Sequence, residues 1–296
     1  MGMTPSPPKA SYQEVTLDRH RRPAQTAAWN TDGSQMTRDS DRLEYASKGL
    51  IGVLTPQANT TVEPEFSILF PPGHAIVNAR MISSKATIEE RLVDYGETID
   101  RQIDQFANAP LTALAIATTG VSYLIGRKAE DALVDRVMSE RGVPLVTTAR
   151  AVCDALTTLG ARRIALVSPY PAGLLDKSVR YWEACGFHVT DVASVFVDAE
   201  AFHPIYALSA DTADGALRSL DGAGHDAVVM LGTGMPTLTS LERAALRPGP
   251  PVLSCVLALA WRSVVAASGG SPDITVLNEW ISARRWRDRL HASRGC

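Results

Sequence analysis

The chain has 296 residues, 45% hydrophobic and 21% charged, enough for one large or two ordinary globular domains with a sizeable core. A formal net charge of −3 argues against a nucleic-acid partner, which calls for a basic stripe. No apolar run approaches the roughly 18 residues that cross a bilayer, so no membrane partner is expected and the cytoplasm is the default location.

The first stretch, 1–46, is rich in Pro, Ser, Thr, Gln, Asp and Arg and lacks aliphatic periodicity. Arg21-Arg22 is followed by no apolar core of an export signal. It reads as an irregular arm, suited to lying over a neighbouring subunit of a homo-oligomer, a dimer or tetramer. Strand signals then fall at 50–54, 75–79, 113–117, 144–146, 164–167, 188–195, 227–231 and 251–254. Helical patterns lie between and after them at 87–106, 128–141, 148–159, 175–185, 209–220, 238–246 and 256–268. Alternating strands and helices predict an α/β fold of parallel sheets with helices on both faces. Several strands are apolar throughout, as when both faces are covered.

One passage occurs twice. Ile51-Gly52-Val53-Leu54-Thr55-Pro56 is matched by Ile164-Ala165-Leu166-Val167-Ser168-Pro169. Ala115-Ile116-Ala117-Thr118-Thr119-Gly120 is matched by Val229-Met230-Leu231-Gly232-Thr233-Gly234. Pro56 and Thr118 are 62 positions apart, and Pro169 and Gly232 are 63. Two pseudo-symmetric halves follow, 47–160 and 161–268, with the helix at 256–268 crossing back to the first and the site in the cleft between them. A tail at 269–296, with Trp280, Trp286 and several arginines, predicts an amphipathic terminal helix used as an oligomer contact.

Ligands of open parallel sheets bind beyond the carboxyl ends of the strands. Four loops qualify. The first carries Gln57 and Asn59 before a helix that Thr60 or Thr61 caps. The second runs Thr118-Thr119-Gly120-Val121-Ser122-Tyr123, the third contains Tyr170, and the fourth is Gly232-Thr233-Gly234. Hydroxyls and glycines leave hydrogen-bond donors open to a carboxylate or enolate oxygen. A Gly-x-Gly without a third glycine at Thr237 is no dinucleotide fingerprint. Cys153, Cys185, Cys255 and Cys296 show no metal-ligand spacing, so no metal or other cofactor is expected. The first three read as packing residues and Cys296 as exposed.

The run from Gly52 to Glu63 resembles the opening motif of maleate cis–trans isomerases and arylmalonate decarboxylases. Arg163 to Tyr170, Glu183 to Phe187, Leu231 to Pro236 and Pro251 to Ser254 are similar to their second-half motifs. The resemblance covers about 50–268 and implies the aspartate/glutamate racemase superfamily, with two pseudo-symmetric α/β halves. It also implies a facing pair of cysteines, one from each half, of which arylmalonate decarboxylases keep only the second. By motif register those positions are Thr118 and Gly232 here. A thiol near pKa 8.5 is readily ionised and a threonine hydroxyl is not, so thiol-based racemisation is not expected.

What the resemblance leaves is a pocket for a small carboxylate, with Gln57, Asn59, Thr119, Gly120, Tyr123, Gly232, Thr233 and Gly234 as substrate contacts. Thr118, Tyr170 and His203 are the candidate catalytic groups, His203 from the loop after a second-half strand. Three readings stay open. The first is a cysteine-independent lyase or isomerase that stabilises an enolate. The second is a hydrolase of a small amide, lactone or cyclic amide using a water near Gly232, and the third a non-catalytic carboxylate-binding protein.

Overall fold

The computed structural model describes residues 43–197, 204–220 and 224–295. The N-terminal arm falls almost wholly outside these residues, as do His203 and its neighbours Asp198 and Glu200.

The first half contains strands β1 (Gly49–Pro56), β2 (His74–Met81), β3 (Ala113–Ile116) and β4 (Leu145–Thr147). Its helices are α1 (Val62–Leu69), α2 (Ile88–Glu97), α3 (Ile99–Ile103), α4 (Gly120–Ile125), α5 (Arg127–Arg141) and α6 (Thr148–Leu159). The second half contains β5 (Arg163–Ser168), α7 (Ala172–Ala184), β6 (His188–Ser194), α8 (Ala210–Ser219), β7 (Ala227–Met230), α9 (Leu238–Ala245), β8 (Val252–Ser254) and α10 (Cys255–Ala267). Two helices, α11 (Ile274–Ile281) and α12 (Arg287–Ser293), follow.

Each half holds a four-stranded parallel sheet, ordered β2-β1-β3-β4 in the first and β6-β5-β7-β8 in the second. The identical orders put β1 and β5 at matched inner positions, so the loops after β1, β3, β5 and β7 converge on one crevice. β1 is buried along its whole length, which accounts for its unbroken apolar run. Among the described residues, no helix is long and apolar enough to cross a membrane.

The two halves interlock. Helix α10 begins directly after β8 yet packs over β1, β3 and β4 and against α1 and α6. Ten of its thirteen residues are buried. The carboxylate of Glu65, on α1, reaches into the second half and accepts hydrogen bonds from the backbone N–H of Thr237 and, at 3.2 Å, that of Leu238. The Thr237 hydroxyl adds a third donor, 3.0 Å from Oε2. Nearby, the Thr61 hydroxyl donates to the Gly234 carbonyl at 2.7 Å, and Thr233 Oγ1 donates to the Ala117 carbonyl at 2.7 Å.

Three elements differ from expectation, the first being the loop read at 118–123, which turns helical at Gly120 as α4. The helical pattern over 87–106 breaks at Thr98 into α2, α3 and a 3-10 turn at Asp104–Phe106. The tail is two short helices rather than one, because Ala283 takes φ 61 and turns the chain. That turn buries Trp280 and Trp286 in their own chain, with the Trp286 indole N–H donating to the Trp280 carbonyl at 2.8 Å. The tail's cations are engaged within the chain as well. Arg289 donates to the Ile68 and Leu69 carbonyls, and Arg287, His291 and Arg294 surround Glu242. The two tail tryptophans thus pack within their own chain.

Complete burial pushes the Glu65 carboxyl up to about 7, against the opposing pull of its Thr237 and Leu238 donors. A carboxyl raised in the folded state gives stability that is full below its unfolded pKa near 4.5 and is lost as pH rises through 7. Relative to Glu65→Gln, the wild type should therefore lose ~3 kcal/mol between pH 4.5 and 8. Denaturant unfolding of both proteins across that range measures the difference; parallel pH profiles would refute the assignment.

Candidate functional site

The crevice narrows to a cavity of about 50 Å³, space for a few water molecules. Its lining includes hydroxyl and bare-backbone positions, Thr118, Thr119 and Gly120 after β3, Tyr170 after β5, and Gly232, Thr233 and Gly234 after β7. It also includes the apolar Pro56, Ile88, Leu92, Leu174 and Ile205, together with Tyr95, Tyr206 and Arg91.

Thr119 Oγ1 and the Tyr170 hydroxyl lie 2.6 Å apart, and either can be the donor. Two hydroxyl protons serve that one bond, so one is left over for a bound anion. Burial pushes the Tyr170 phenol well above its usual range, with the Cys255 thiol adding to the effect. At neutral pH it is therefore a hydrogen-bond donor and a weak acid, not a base. Thr118, itself buried, lines the same cavity.

A Cβ would be crowded at three of the cavity glycines; at Gly120 it would lie 2.5 Å from Leu92 Cδ1. Gly232 has φ +85, and a Cβ there would come within 3.0 Å of both Ile205 Cδ1 and Pro169 Cγ. The Tyr206 ring lies so close over Gly234 that a Cβ would be 2.2 Å from Cε1.

Seven of the residues read from sequence come together at the cavity: Thr118, Thr119, Gly120, Tyr170, Gly232, Thr233 and Gly234. Gln57, Asn59 and Tyr123 do not line it. Gln57 Oε1 accepts the Ser83 N–H at 2.6 Å. Asn59 Oδ1 accepts the N–H groups of Thr61 and Val62, so the cap of α1 belongs to Asn59 and not to Thr60 or Thr61. Its Nδ2 donates to Thr233 at 3.1 Å from the carbonyl oxygen and 3.2 Å from Oγ1, joining the halves. Tyr123 packs edge-on behind Tyr170, ring centroids 6.0 Å apart. Among the described residues no histidine lines the cavity.

Nor does any cysteine. Cys255 comes nearest: it opens α10, is completely buried, and its sulfur accepts the backbone N–H of Gly232. Burial holds its thiol up to about 12, so it stays neutral.

The family model described as arylmalonate decarboxylase matches residues 51–273. The chain belongs to the arylmalonate decarboxylase family. It is 26% identical to a maleate isomerase of Geobacillus stearothermophilus over 229 residues, covering 72% of this chain and 89% of the relative. It is 24% identical to an arylmalonate decarboxylase of Bordetella bronchiseptica over 236 residues, covering 77% and 95%. Among solved structures, a mutant of the Nocardia farcinica maleate cis-trans isomerase with a covalently bound succinylcysteine intermediate matches with a TM-score of 0.68. That match has 26% identity and covers 78% of this chain and 98% of that one.

For this member of the arylmalonate decarboxylase family, the sequence reading missed the apolar wall and Arg91. Ile88, Arg91, Leu92 and Tyr95 lie three or four residues apart on one face of α2, which is amphipathic. An arginine inside that apolar stripe was the available signal. Ile205 and Tyr206 belong to a short 3-10 turn, Pro204–Ala207, which carries no periodic signal.

If the space beside Gly232 is filled as described, Gly232→Cys should destabilise the fold by ~2 kcal/mol through its positive φ and the crowding of Ile205. Adding Ile205→Ala should recover the crowding part. Denaturant midpoints for the two single variants and the double variant measure this, and an unaltered midpoint for Gly232→Cys would refute it.

Proposed function

We propose that this chain is a cysteine-independent lyase of small carboxylic acids, holding the enolate of its substrate with hydroxyl donors. The observation that carries the reading is the pairing at the cavity. Thr118, Thr119 and Tyr170 offer hydroxyls, while the Gly232 position holds no side chain and Ile205 and Pro169 crowd it. The relatives are isomerases and a decarboxylase, which supports chemistry at a carbon next to a carboxylate.

In the reaction we assign, one carboxyl group of a substituted malonate lies against the Thr118, Thr119 and Tyr170 hydroxyls. The other faces the apolar Leu174 and Ile205, which lie outside α2 and its Arg91, where a charge is poorly solvated. The bond from the α-carbon to that second carboxyl breaks and carbon dioxide leaves. Its electron pair stays as an enediolate on the retained carboxyl, whose growing charge the hydroxyls stabilise. A proton then adds to the α-carbon from Tyr170, kept protonated by burial, and the phenolate left behind takes its proton back from water. Elimination of water from a hydroxy acid would use the same enolate. Neither step calls for a cofactor. Arg91 supplies the cavity's cation and draws the anionic substrate in.

Cys255 supports a second reading, a thiol displaced from the cavity loops to the start of α10, because its sulfur touches Gly232. Its complete burial and neutral state weigh against it.

Incubation with substituted malonates, maleate, hydroxy acids and cyclic amides in D₂O, followed by NMR, separates the readings. Decarboxylation with one deuterium at the α-carbon is expected. Ring opening would favour a hydrolase, and ligand-induced thermal stabilisation without turnover a binding protein. With the active substrate found, Tyr170→Phe should lower kcat by about 100-fold, and Cys255→Ala should leave it within about twofold. Loss of turnover in Cys255→Ala would sink cysteine independence. Arg91→Gln should raise KM by about tenfold with a smaller change in kcat.

A further inference from the structure

Three glycines border the cavity, and each is covered by a side chain from outside its own loop. A Cβ on Gly120 would lie 2.5 Å from Leu92 Cδ1, and one on Gly232 3.0 Å from Ile205 Cδ1. One on Gly234 would overlap the Tyr206 ring at Cδ1 and Cε1. Bare backbone beside a crevice leaves room either for a ligand or for the protein's own side chains. Here the protein takes it. The side chains over the β7 loop are neighbours on one 3-10 turn, Pro204–Ala207, and both Ile205 and Tyr206 are half-buried.

What is left is about 50 Å³. An apolar cavity that takes a benzene ring measures about 150 Å³. The space therefore suits a carboxyl group and a small substituent, and a six-membered ring cannot enter without displacing a side chain. Of the three covering side chains Tyr206 is the largest, and the edge of its ring meets the Gly234 backbone. The hydroxyls cannot supply this selection. Thr118, Thr119 and Tyr170 address the carboxyl group, which every malonate carries. Any choice among malonates has to come from the volume beside them.

We propose that Ile205 and Tyr206 form a size filter: the site takes malonate and methylmalonate and excludes malonates that carry a ring on the α-carbon. This rests on the malonate reading of the site given above and adds to it the limit on the substituent. With one carboxyl on the hydroxyls and the other toward Leu174 and Ile205, the substituent points along the β7 loop, where the Tyr206 ring lies over Gly234. A hydrogen atom or a methyl group fits beside that ring. A phenyl group needs the volume that the ring itself fills. Trimming Tyr206 to a small residue thus exchanges a ring of the protein for a ring of the substrate. The filter is one of volume, so the Tyr206 hydroxyl is dispensable to it.

The test compares malonate, methylmalonate and phenylmalonate on the full chain. Dissociation constants come from ligand-induced thermal stabilisation, and release of carbon dioxide is followed separately. The wild type should bind methylmalonate at least about tenfold more tightly than phenylmalonate. Tyr206→Ala should close most of that gap by tightening phenylmalonate binding, Ile205→Ala should narrow it less, and Tyr206→Phe should keep it. Three results would overturn the filter: wild-type binding of the two within about twofold, no binding of any of the three, or a gap that neither alanine variant narrows. Size-graded binding without carbon dioxide from any malonate would overturn the lyase reading and leave the filter standing. Carbon dioxide from all three at like rates, with equal binding, would overturn the filter and leave the lyase reading standing.

Discussion

The Glu65 carboxylate, buried between α1 and the Thr237–Leu238 backbone, is the contact on which the geometry of the crevice depends. A buried acceptor with three donors has one arrangement that satisfies it, and any slip of one half against the other leaves polar groups unpaired out of reach of water. The bonds beside it repeat the same logic: Asn59 to Thr233, Thr61 to Gly234 and Thr233 to Ala117 all cross between halves. They also run through the loops that form the cavity. Fixing the halves and shaping the cavity are therefore one task, performed by backbone groups that a site residue sits beside. The Thr233 hydroxyl shows this most plainly, since it borders the cavity while anchoring the opposite half.

That dual use explains which parts of the site were legible in the sequence. All eight strands were readable, because β1, β3, β5 and β7 are apolar runs that end abruptly in hydroxyl, proline or glycine residues. The duplication then located the crevice without any knowledge of side-chain positions. Within the loops, however, Asn59 and Thr118 look alike on paper, each a small polar residue after a strand. Only the packed structure distinguishes them. Asn59 is engaged by the α1 cap and by Thr233, whereas Thr118 lines the cavity. Tyr123 and Tyr170 are a similar pair, one behind the other.

The apolar wall was invisible for a different reason. Leu174, Ile88 and Leu92 come from helices whose periodicity announces a buried face but not what it is buried against. Ile205 and Tyr206 come from a short turn with no period at all. Their importance lies in filling the volume beside Gly232 and Gly234, and complementary volume leaves no mark in a linear pattern. Membership of the arylmalonate decarboxylase family fixes the frame. The close packing of Ile205 and Tyr206 onto bare glycine backbone makes the cavity narrow.

Helix α10 gives the duplication a last meaning. Although the sequence repeats, the halves are not independent modules, since the helix that closes the second repeat is the lid on the first sheet. A chain cut near Gly160 would leave β1 and β3 without that cover and expose apolar strands to water. The first half therefore cannot complete its core until residues more than a hundred positions further along have been made, which sets assembly by long-range contact rather than by sequential domains. The joint that makes the molecule a single folding unit also ties both banks of the crevice to one core.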